Sequence, residues 1–153
     1  RGAPAVRPGL WLGALWRAPW RRRFLALEAA AELARARVLT LRPARVYAAA
    51  LGERDGPAPT PPEGTQTALA GEIGTLVTNV AAAMPFRALC LEQVLATRRM
   101  LTRRGCAGVA VLGVRTGSDL PDGFGAHAWF CVGDEVVSGD GDIEQFSVIG
   151  RFS

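Results

Sequence analysis

Three residues in the second half of the chain carry complementary chemistry: Cys90, His127 and Asp140. A thiolate is a nucleophile, an imidazole can take its proton and return it, and a carboxylate can orient the imidazole and stabilise its charged form. His127 is the only histidine in the chain. We therefore treat these residues as a candidate triad for nucleophilic catalysis by cysteine.

Cys90 stands at the beginning of a helical pattern that runs from about Leu89 to Gly105. At a helix N-terminus the free backbone N–H groups and the helix dipole favour a thiolate, and the same N–H groups can form part of an oxyanion hole. Cys106 follows a helix C-terminus and Cys131 lies in a strand without an evident basic neighbour, so both are weaker candidates. The alternative for Cys90 is a small hydrophobe that only packs.

The segment that follows His127 predicts the carboxylate partner. Residues Gly125 to Val132 and Glu135 to Ser138 have strand patterns, and Gly133-Asp134 between them predicts a two-residue hairpin turn. In that register His127 faces Asp140, and directly paired residues have Cβ atoms about 4.5 to 5.5 Å apart. The hairpin therefore predicts a contact between the imidazole and this carboxylate.

Neighbouring positions complete the predicted site. Trp129 faces Ser138 in the same register and shares the sheet face of His127, so we expect its ring to form a wall of the substrate pocket. Asp142 lies one pair further along this face and is the second choice for the carboxylate. The alternative is that both aspartates cap a glycine-rich turn.

Composition argues against other kinds of site. A metal centre would need Cys90, Cys131 and His127 to converge with a fourth ligand, at spacings typical of no metal motif, so we expect no metal and no cofactor. The net charge is +4 and every basic residue is arginine, but the arginines are scattered and no nucleic-acid motif accompanies them. No apolar run approaches the roughly 18 residues of a membrane span, and free thiols favour a cytoplasmic location.

Helical patterns come before the strands. We expect helices over 24–39, 44–50, 66–83 and 89–105. In the first of them the apolar residues at helical spacing form one face: Phe24, Leu27, Ala31, Ala34 and Val38. From Ala107 the period changes to two, which predicts strands over 107–115, 125–132, 135–138 and 146–149. Helices followed by an antiparallel meander predict an α+β fold.

The chain has the length of one domain. We expect residues 20–153 to form it, with an irregular proline-rich loop at 53–65. Residues 1–19 carry Trp11 and Trp16 among prolines and arginines. This segment predicts an arm that is flexible or binds a partner; contact with a membrane surface is the less favoured alternative.

Several stretches resemble a known family. CLEQVLATRRMLTRRG (90–105), VAVLGVR (109–115) and AHAWFCVGDEVVSG (126–139) closely resemble the transglutaminase-like B proteins of lasso peptide biosynthesis. The helical stretch 23–47 is similar more loosely. The resemblance covers roughly residues 20 to 150, and the AHAW strand together with the cysteine helix is its specific part.

This resemblance implies a papain-like cysteine peptidase. Such a peptidase removes the leader from a ribosomally made precursor, and a separate asparagine-synthetase-like cyclase then uses the new amino terminus. By this likeness Cys90 is the nucleophile, His127 is the general base and then the acid, and an aspartate after the AHAW hairpin orients the ring. Gly139 stands where some family members have aspartate, and Asp140 remains the choice on the pairing argument.

The resemblance also bears on partners. Some family members carry a leader-binding domain before the peptidase, and we expect none in this chain, which shows no additional set of strands for one. We therefore expect a separate recognition protein to deliver the leader. Two alternatives stay open: a non-catalytic binding module in which Cys90 only packs, and an acyltransferase or transglutaminase that uses the same triad.

Overall fold

The computed structural model describes residues 19–60 and 64–153. Its helices precede a four-stranded antiparallel sheet, so the predicted α+β fold is confirmed. The arm predicted at 1–19 lies outside the described residues except for Pro19, and so do residues 61–63 of the proline-rich loop. The division of the chain into arm and domain stays a prediction.

The described helices agree with the predicted ones to within a few residues. They are α1 (Trp20–Thr40), α2 (Ala44–Leu51), α3 (Gly64–Ala83) and α4 (Cys90–Thr102). α1 and α2 each begin directly after a proline, where the missing N–H is not needed by the helix. None of these helices is long and apolar enough to cross a membrane.

The strands are β1 (Val109–Thr116), β2 (Phe124–Val132), β3 (Glu135–Ser138) and β4 (Ser147–Phe152). Their order in the sheet is β3-β2-β1-β4. The expectation of a simple meander was therefore wrong, because β4 returns to the free edge of β1 instead of continuing beside β3. The connection after Ser138 is long enough for that crossing, and β1 thereby gains a partner on both sides.

The helices cover one face of the sheet. Ala128, Phe130 and Val132 of β2 belong to the same buried cluster as the inner faces of α1, α3 and α4. Successive strand residues point to opposite faces. The side chains of His127 and Trp129 therefore point to the face of the sheet that the helices do not cover.

α1 turns a different face to the core than its apolar pattern indicated. The predicted face, which contains Phe24, Leu27 and Val38, is exposed. The buried residues lie on another side of the helix: Leu25, Ala26, Ala29, Glu32, Leu33 and Ala36. Half of these residues are alanines, so α1 can approach α4 closely, and its carboxylates can meet the arginines of α4.

α1 and α4 run antiparallel and are joined by ion pairs. Arg103 lies 3.0 Å from Glu28 and 2.6 Å from Glu32, and Arg104 lies 2.6 Å from Glu28. Arg99 lies 3.2 Å from Glu32. The hydrogen bond from Arg104, with a smaller contribution from Arg103, lowers the pKa of Glu28 below its ordinary value even though partial burial opposes the shift. These contacts fix the C-terminal end of α4 against α1.

The described part of the proline-rich loop is attached to the sheet at its start. Arg54 forms an isolated antiparallel bridge with Phe152. The backbone groups of Glu53 and Ser153 exchange hydrogen bonds of 2.9 and 3.1 Å, and the N–H of Asp55 donates to the carbonyl of Arg151. Composition gave no sign of this attachment, because most of it is formed by backbone groups; the guanidinium of Arg54 adds one hydrogen bond to the carbonyl of Ile149 at 2.9 Å.

Candidate active site

Cys90 is the first residue of α4, as the sequence predicted, and its side chain is half-buried. The N-cap is Leu89, which has an extended backbone and no polar side chain. The first N–H groups of α4 therefore have no capping side chain from the residue before Cys90. They remain able to stabilise a thiolate or a developing oxyanion.

A buried glutamate holds this end of α4. Glu92 is 2 % exposed. Its Oε2 accepts a hydrogen bond from the N–H of Leu89 at 2.9 Å. Its Oε1 accepts one from the hydroxyl of Thr40 at 2.8 Å and one from the guanidinium of Arg37 at 3.2 Å. The carboxylate therefore ties the start of α4 to the end of α1, two residues from the candidate nucleophile.

Glu92 did not figure in the sequence analysis. The signal was present, because a glutamate three residues after the N-cap is the second half of a capping box. With Leu89 at the N-cap only that half can form. The pairing with Arg37 and Thr40 had no local signal, since those residues lie more than 50 positions earlier in the chain.

His127 is half-buried on β2, and its Nε2 lies 2.8 Å from the carbonyl oxygen of Gly139. A carbonyl oxygen can only accept, so Nε2 carries the proton in this contact. Nδ1 of the neutral ring is then the free acceptor. The ring is thus held in the tautomer that leaves one nitrogen ready to take a proton.

Two aromatic rings flank the imidazole. Trp129 stacks beside it with ring centroids 6.0 Å apart, and Phe146 lies at 5.2 Å with its ring tilted by 38°. Trp129 is itself buried, so it forms a wall and not an open lining. The contribution of Phe146 was missed, because it precedes β4 and reaches β2 only through the crossing of that strand.

The hairpin register differs from the predicted one. Val132 pairs with Glu135, which agrees with a two-residue turn at Gly133-Asp134. The register then shifts, and Phe130, not Trp129, pairs with Ser138. The extra residue on β3 is a bulge, which re-aims every later side chain. The predicted pairing of Trp129 with Ser138 was therefore wrong, and the same shift removes the basis for pairing His127 with Asp140.

The two aspartates lie in the turn after β3. Asp140 is exposed and lines a shallow depression with residues of α3 and β3, among them Asn79 and Val137. Asp142 is also exposed and adopts a left-handed backbone before a short 3₁₀ turn, Ile143–Gln145. Among the described residues neither carboxylate bonds to His127, whose ring contacts the Gly139 carbonyl instead. A catalytic role for either aspartate stays a prediction.

Gly139 is required by its own geometry. Its φ is +76°, and a Cβ there would collide with the carbonyl oxygen of Ala128 and with the backbone of Trp129. The chain thus passes close enough to β2 for its carbonyl to reach the imidazole. Any larger residue would have to displace that carbonyl.

Comparison with known proteins identifies the family to which this fold belongs. A family model described as "Transglutaminase-like superfamily" matches residues 11–151, which is most of the chain. The chain belongs to the transglutaminase-like superfamily. Searches of curated proteins and of solved structures gave no significant match.

Membership of the transglutaminase-like superfamily confirms the predicted fold class. The superfamily includes cysteine peptidases and transglutaminases, so the family alone does not separate hydrolysis from acyl transfer. In the part of the chain that the structure describes, no hydrogen bond joins Cys90 to His127. Catalytic hydrogen bonds often tighten only when substrate binds.

The other two thiols of this transglutaminase-like domain are less suited to nucleophilic chemistry. Burial raises the pKa of the Cys106 thiol, which is 1 % exposed. Burial also raises the pKa of Cys131, and Arg151 offsets only part of that shift. All three cysteines are free, and over residues 19–60 and 64–153 no group of three His, Cys, Asp or Glu side chains could hold a metal ion.

Proposed function

We propose that this protein is a cysteine peptidase that removes the leader from a ribosomally made lasso precursor peptide. Its family membership supports cysteine-based acyl chemistry. The observation that carries the proposal is an imidazole that a backbone carbonyl holds in a single tautomer, in a chain whose α4 begins with a cysteine. The likeness of the cysteine helix and the AHAW strand to lasso B proteins supplies the substrate class.

In the proposed reaction, Nδ1 of His127 takes the proton of Cys90 once the substrate has brought the two groups together. The thiolate attacks the carbonyl carbon of the scissile peptide bond, and N–H groups of the first turn of α4 stabilise the oxyanion. His127 then returns the proton to the leaving amine, which leaves a thioester on Cys90. A water molecule, deprotonated by His127, hydrolyses the thioester and frees the acid.

The orienting role is divided in this proposal. The carbonyl of Gly139 aligns the ring, and the negative charge of Asp140, the next residue in the chain, is the proposed support for the imidazolium. Trp129 and Phe146 exclude water from one side of the imidazole. No metal or cofactor takes part in these steps.

The proposed partners follow from the same likeness. A separate recognition protein binds the leader and delivers the precursor, and an asparagine-synthetase-like cyclase uses the released amino terminus. These steps take place in the cytoplasm. Nucleic acid has no part in them.

Mass spectrometry of a lasso precursor peptide incubated with the protein tests this function. The mixtures should be run with and without the recognition protein, beside Cys90→Ala and a matched Cys131→Ala control. We expect a leader-sized mass loss that needs Cys90 and not Cys131. Cleavage that persists in Cys90→Ala would exclude the proposed nucleophile.

Added hydroxylamine or a primary amine separates hydrolysis from acyl transfer. A peptidase should release the free acid as its main product. Predominant incorporation of the amine would instead assign the domain to the acyl-transferring members of the superfamily.

A further inference from the structure

One face of α1 is apolar and uncovered. Trp20, Phe24 and Leu27 are 73 %, 64 % and 63 % exposed, and the residues further along the same face are exposed as well. We call this face the α1 stripe, and its members are Trp20, Phe24, Leu27, Ala31, Ala34, Val38 and Leu41. Isolated exposed apolar residues are ordinary, but a continuous row over the length of a helix indicates a contact surface.

The spacing of the α1 stripe is specific. Its residues follow one another in alternating steps of four and three positions from Trp20 to Leu41. That is the a/d repeat of a coiled-coil seam, which has a period of 3.5 residues. A strict a/d seam is narrower than the apolar face of a membrane-surface helix. The spacing therefore favours another helix as the occupant.

The residues that flank the α1 stripe decide what kind of helix can bind to it. In this repeat the e and g positions are held by five arginines, one glutamate and one alanine: Arg21, Arg23, Glu28, Ala30, Arg35, Arg37 and Arg42. The glutamate is already engaged by arginines of α4. Residues at e and g set partner choice in coiled coils through their charges. Arg35 and Arg37 are paired with Glu32 and Glu92, but arginines outnumber carboxylates along the two edges, so these edges carry a net positive charge.

This charge argues against two occupants. In a second copy of the chain, arginine edges would face arginine edges, and like charges across a helix pair are unfavourable. The chain's own first 18 residues carry Arg1, Arg7 and Arg17 and no acidic residue. They would meet the same repulsion. An acidic helix would instead place carboxylates beside the arginines.

A depression lies at the N-terminal end of the stripe. It has a volume of about 320 Å³ and is lined by Trp20, Phe24, Leu69 and Arg104, among others. An apolar side chain of a partner helix fits there as a knob does in a coiled coil. Arg104 and Glu28, which both line the depression, are paired with each other, and Arg21 also lies at its edge.

We propose that the α1 stripe is the docking site for an acidic amphipathic helix of another protein. The apolar seam supplies the contact area, and the arginines at its edges select against basic or neutral helices. The site lies on α1 and requires no chemistry at Cys90. It would remain if the proposed peptidase activity were disproved.

A pair of synthetic three-heptad peptides tests this proposal with the whole protein. Both carry leucine at a and d; one has glutamate at e and g, and the other has lysine. We expect the glutamate peptide to bind, with an affinity that falls as salt is raised, and the lysine peptide not to bind. Equal binding of both peptides, or binding of neither, would overturn the proposal.

The double variant Phe24→Ser/Leu27→Ser locates the site. Both residues are exposed, so the fold should be retained, which circular dichroism checks. Val148→Ser/Ile149→Ser is the matched control, because it removes two exposed apolar residues from β4. We expect the α1 variant to weaken binding of the glutamate peptide by about tenfold or more and the control to leave it unchanged. Equal weakening by both variants would contradict the assignment.

Sedimentation of the free protein addresses the second-copy occupant. We expect a monomer in which Phe24→Ser/Leu27→Ser changes nothing. A dimer that this variant dissociates would show that the stripe takes a second copy and would overturn the proposal. Co-sedimentation with anionic vesicles that is lost in the same variant would overturn it in favour of a membrane surface.

Discussion

The imidazole of His127 donates its Nε2 proton to a backbone carbonyl, and this contact governs how the ring can act. A carbonyl fixes the tautomer as well as a carboxylate does, but it stabilises the imidazolium less, because it carries no full charge. A site of this kind depends on the conformation of Gly139 and less on the identity of a third side chain.

Substitution of the aspartates separates these contributions. Where a carboxylate is the direct partner of a catalytic histidine, its replacement by asparagine lowers kcat by about 10⁴. Because the Gly139 carbonyl holds His127 here, we expect Asp140→Asn to lower kcat only by about tenfold, through loss of the negative charge next to Gly139 in the chain. Asp142→Asn is the control and should have a smaller effect. A loss near 10⁴ in Asp140→Asn would assign the orienting role to that carboxylate.

The three thiols should differ in reactivity. Cys90 is half-buried at a helix N-terminus, whereas burial raises the pKa of Cys106 and of Cys131. At pH 6 we expect iodoacetamide to modify Cys90 fastest, since only the thiolate reacts. Peptide mapping after brief labelling measures this order, and the two slower thiols should gain on Cys90 as the pH rises toward 9. Equal rates at pH 6 would favour a binding module in which Cys90 only packs.

The start of α4 is held in place by residues of another helix. Glu92 links this end of α4 to the C-terminal end of α1, and the same link fixes the position of the candidate nucleophile, Cys90. The helix could be predicted from its own residues, and so could the place of Cys90 at its first turn. The anchoring could not, because Thr40 and Arg37 belong to a different element and carry no local pattern that points to α4.

Replacement of the hydroxyl tests this anchoring. Thr40→Val keeps the shape of the side chain and removes its hydrogen bond to buried Glu92. We expect a loss of about 1 to 3 kcal/mol in the free energy of unfolding and a fall in kcat with little change in KM, since Cys90 would be positioned less well. Thr102→Val at the exposed C-terminal end of α4 is the control. An unchanged kcat would show that the network supports the fold alone.

The sheet shows where prediction from sequence failed. The prediction of a turn at Gly133-Asp134 was correct, because its residue types specify a two-residue loop. The bulge after it depends on how β3 meets α3, where Gly74 lies directly against the carbonyl of Val137. That contact joins residues far apart in the chain, so the pattern within the hairpin did not reveal it. The prediction of which face of α1 is buried was wrong for a similar reason: two sides of that helix are apolar, and its own residues do not show which side meets the core.

At the level of the whole molecule, ion pairs between α1 and α4 couple stability to pH. The pKa of Glu28 is lowered in the folded state by Arg104 and Arg103. Its stabilising contribution is therefore present above the ordinary glutamate pKa of 4.5 and is lost as the pH falls through the lowered value. The stability of the domain should decline on the acid side of that range.

Glu28→Gln should remove this part of the acid sensitivity. We expect the variant to unfold more readily than the parent at pH 7 and the difference to shrink below about pH 4. Chemical denaturation at a series of pH values gives the comparison, with exposed Glu72→Gln as the control. A difference that stays constant down to pH 2 would mean that Glu28 acts by packing and not by its charge.

The hydrogen bond from His127 to Gly139 also has a spectroscopic consequence. The chain contains one histidine, so the imidazole nitrogen resonances belong to the candidate catalytic residue without any assignment. In the neutral ring they should show the form protonated at Nε2, with Nδ1 at the shift of an unprotonated nitrogen. The same two signals would then record the binding of a precursor or a partner as it is added, without any probe attached to the site.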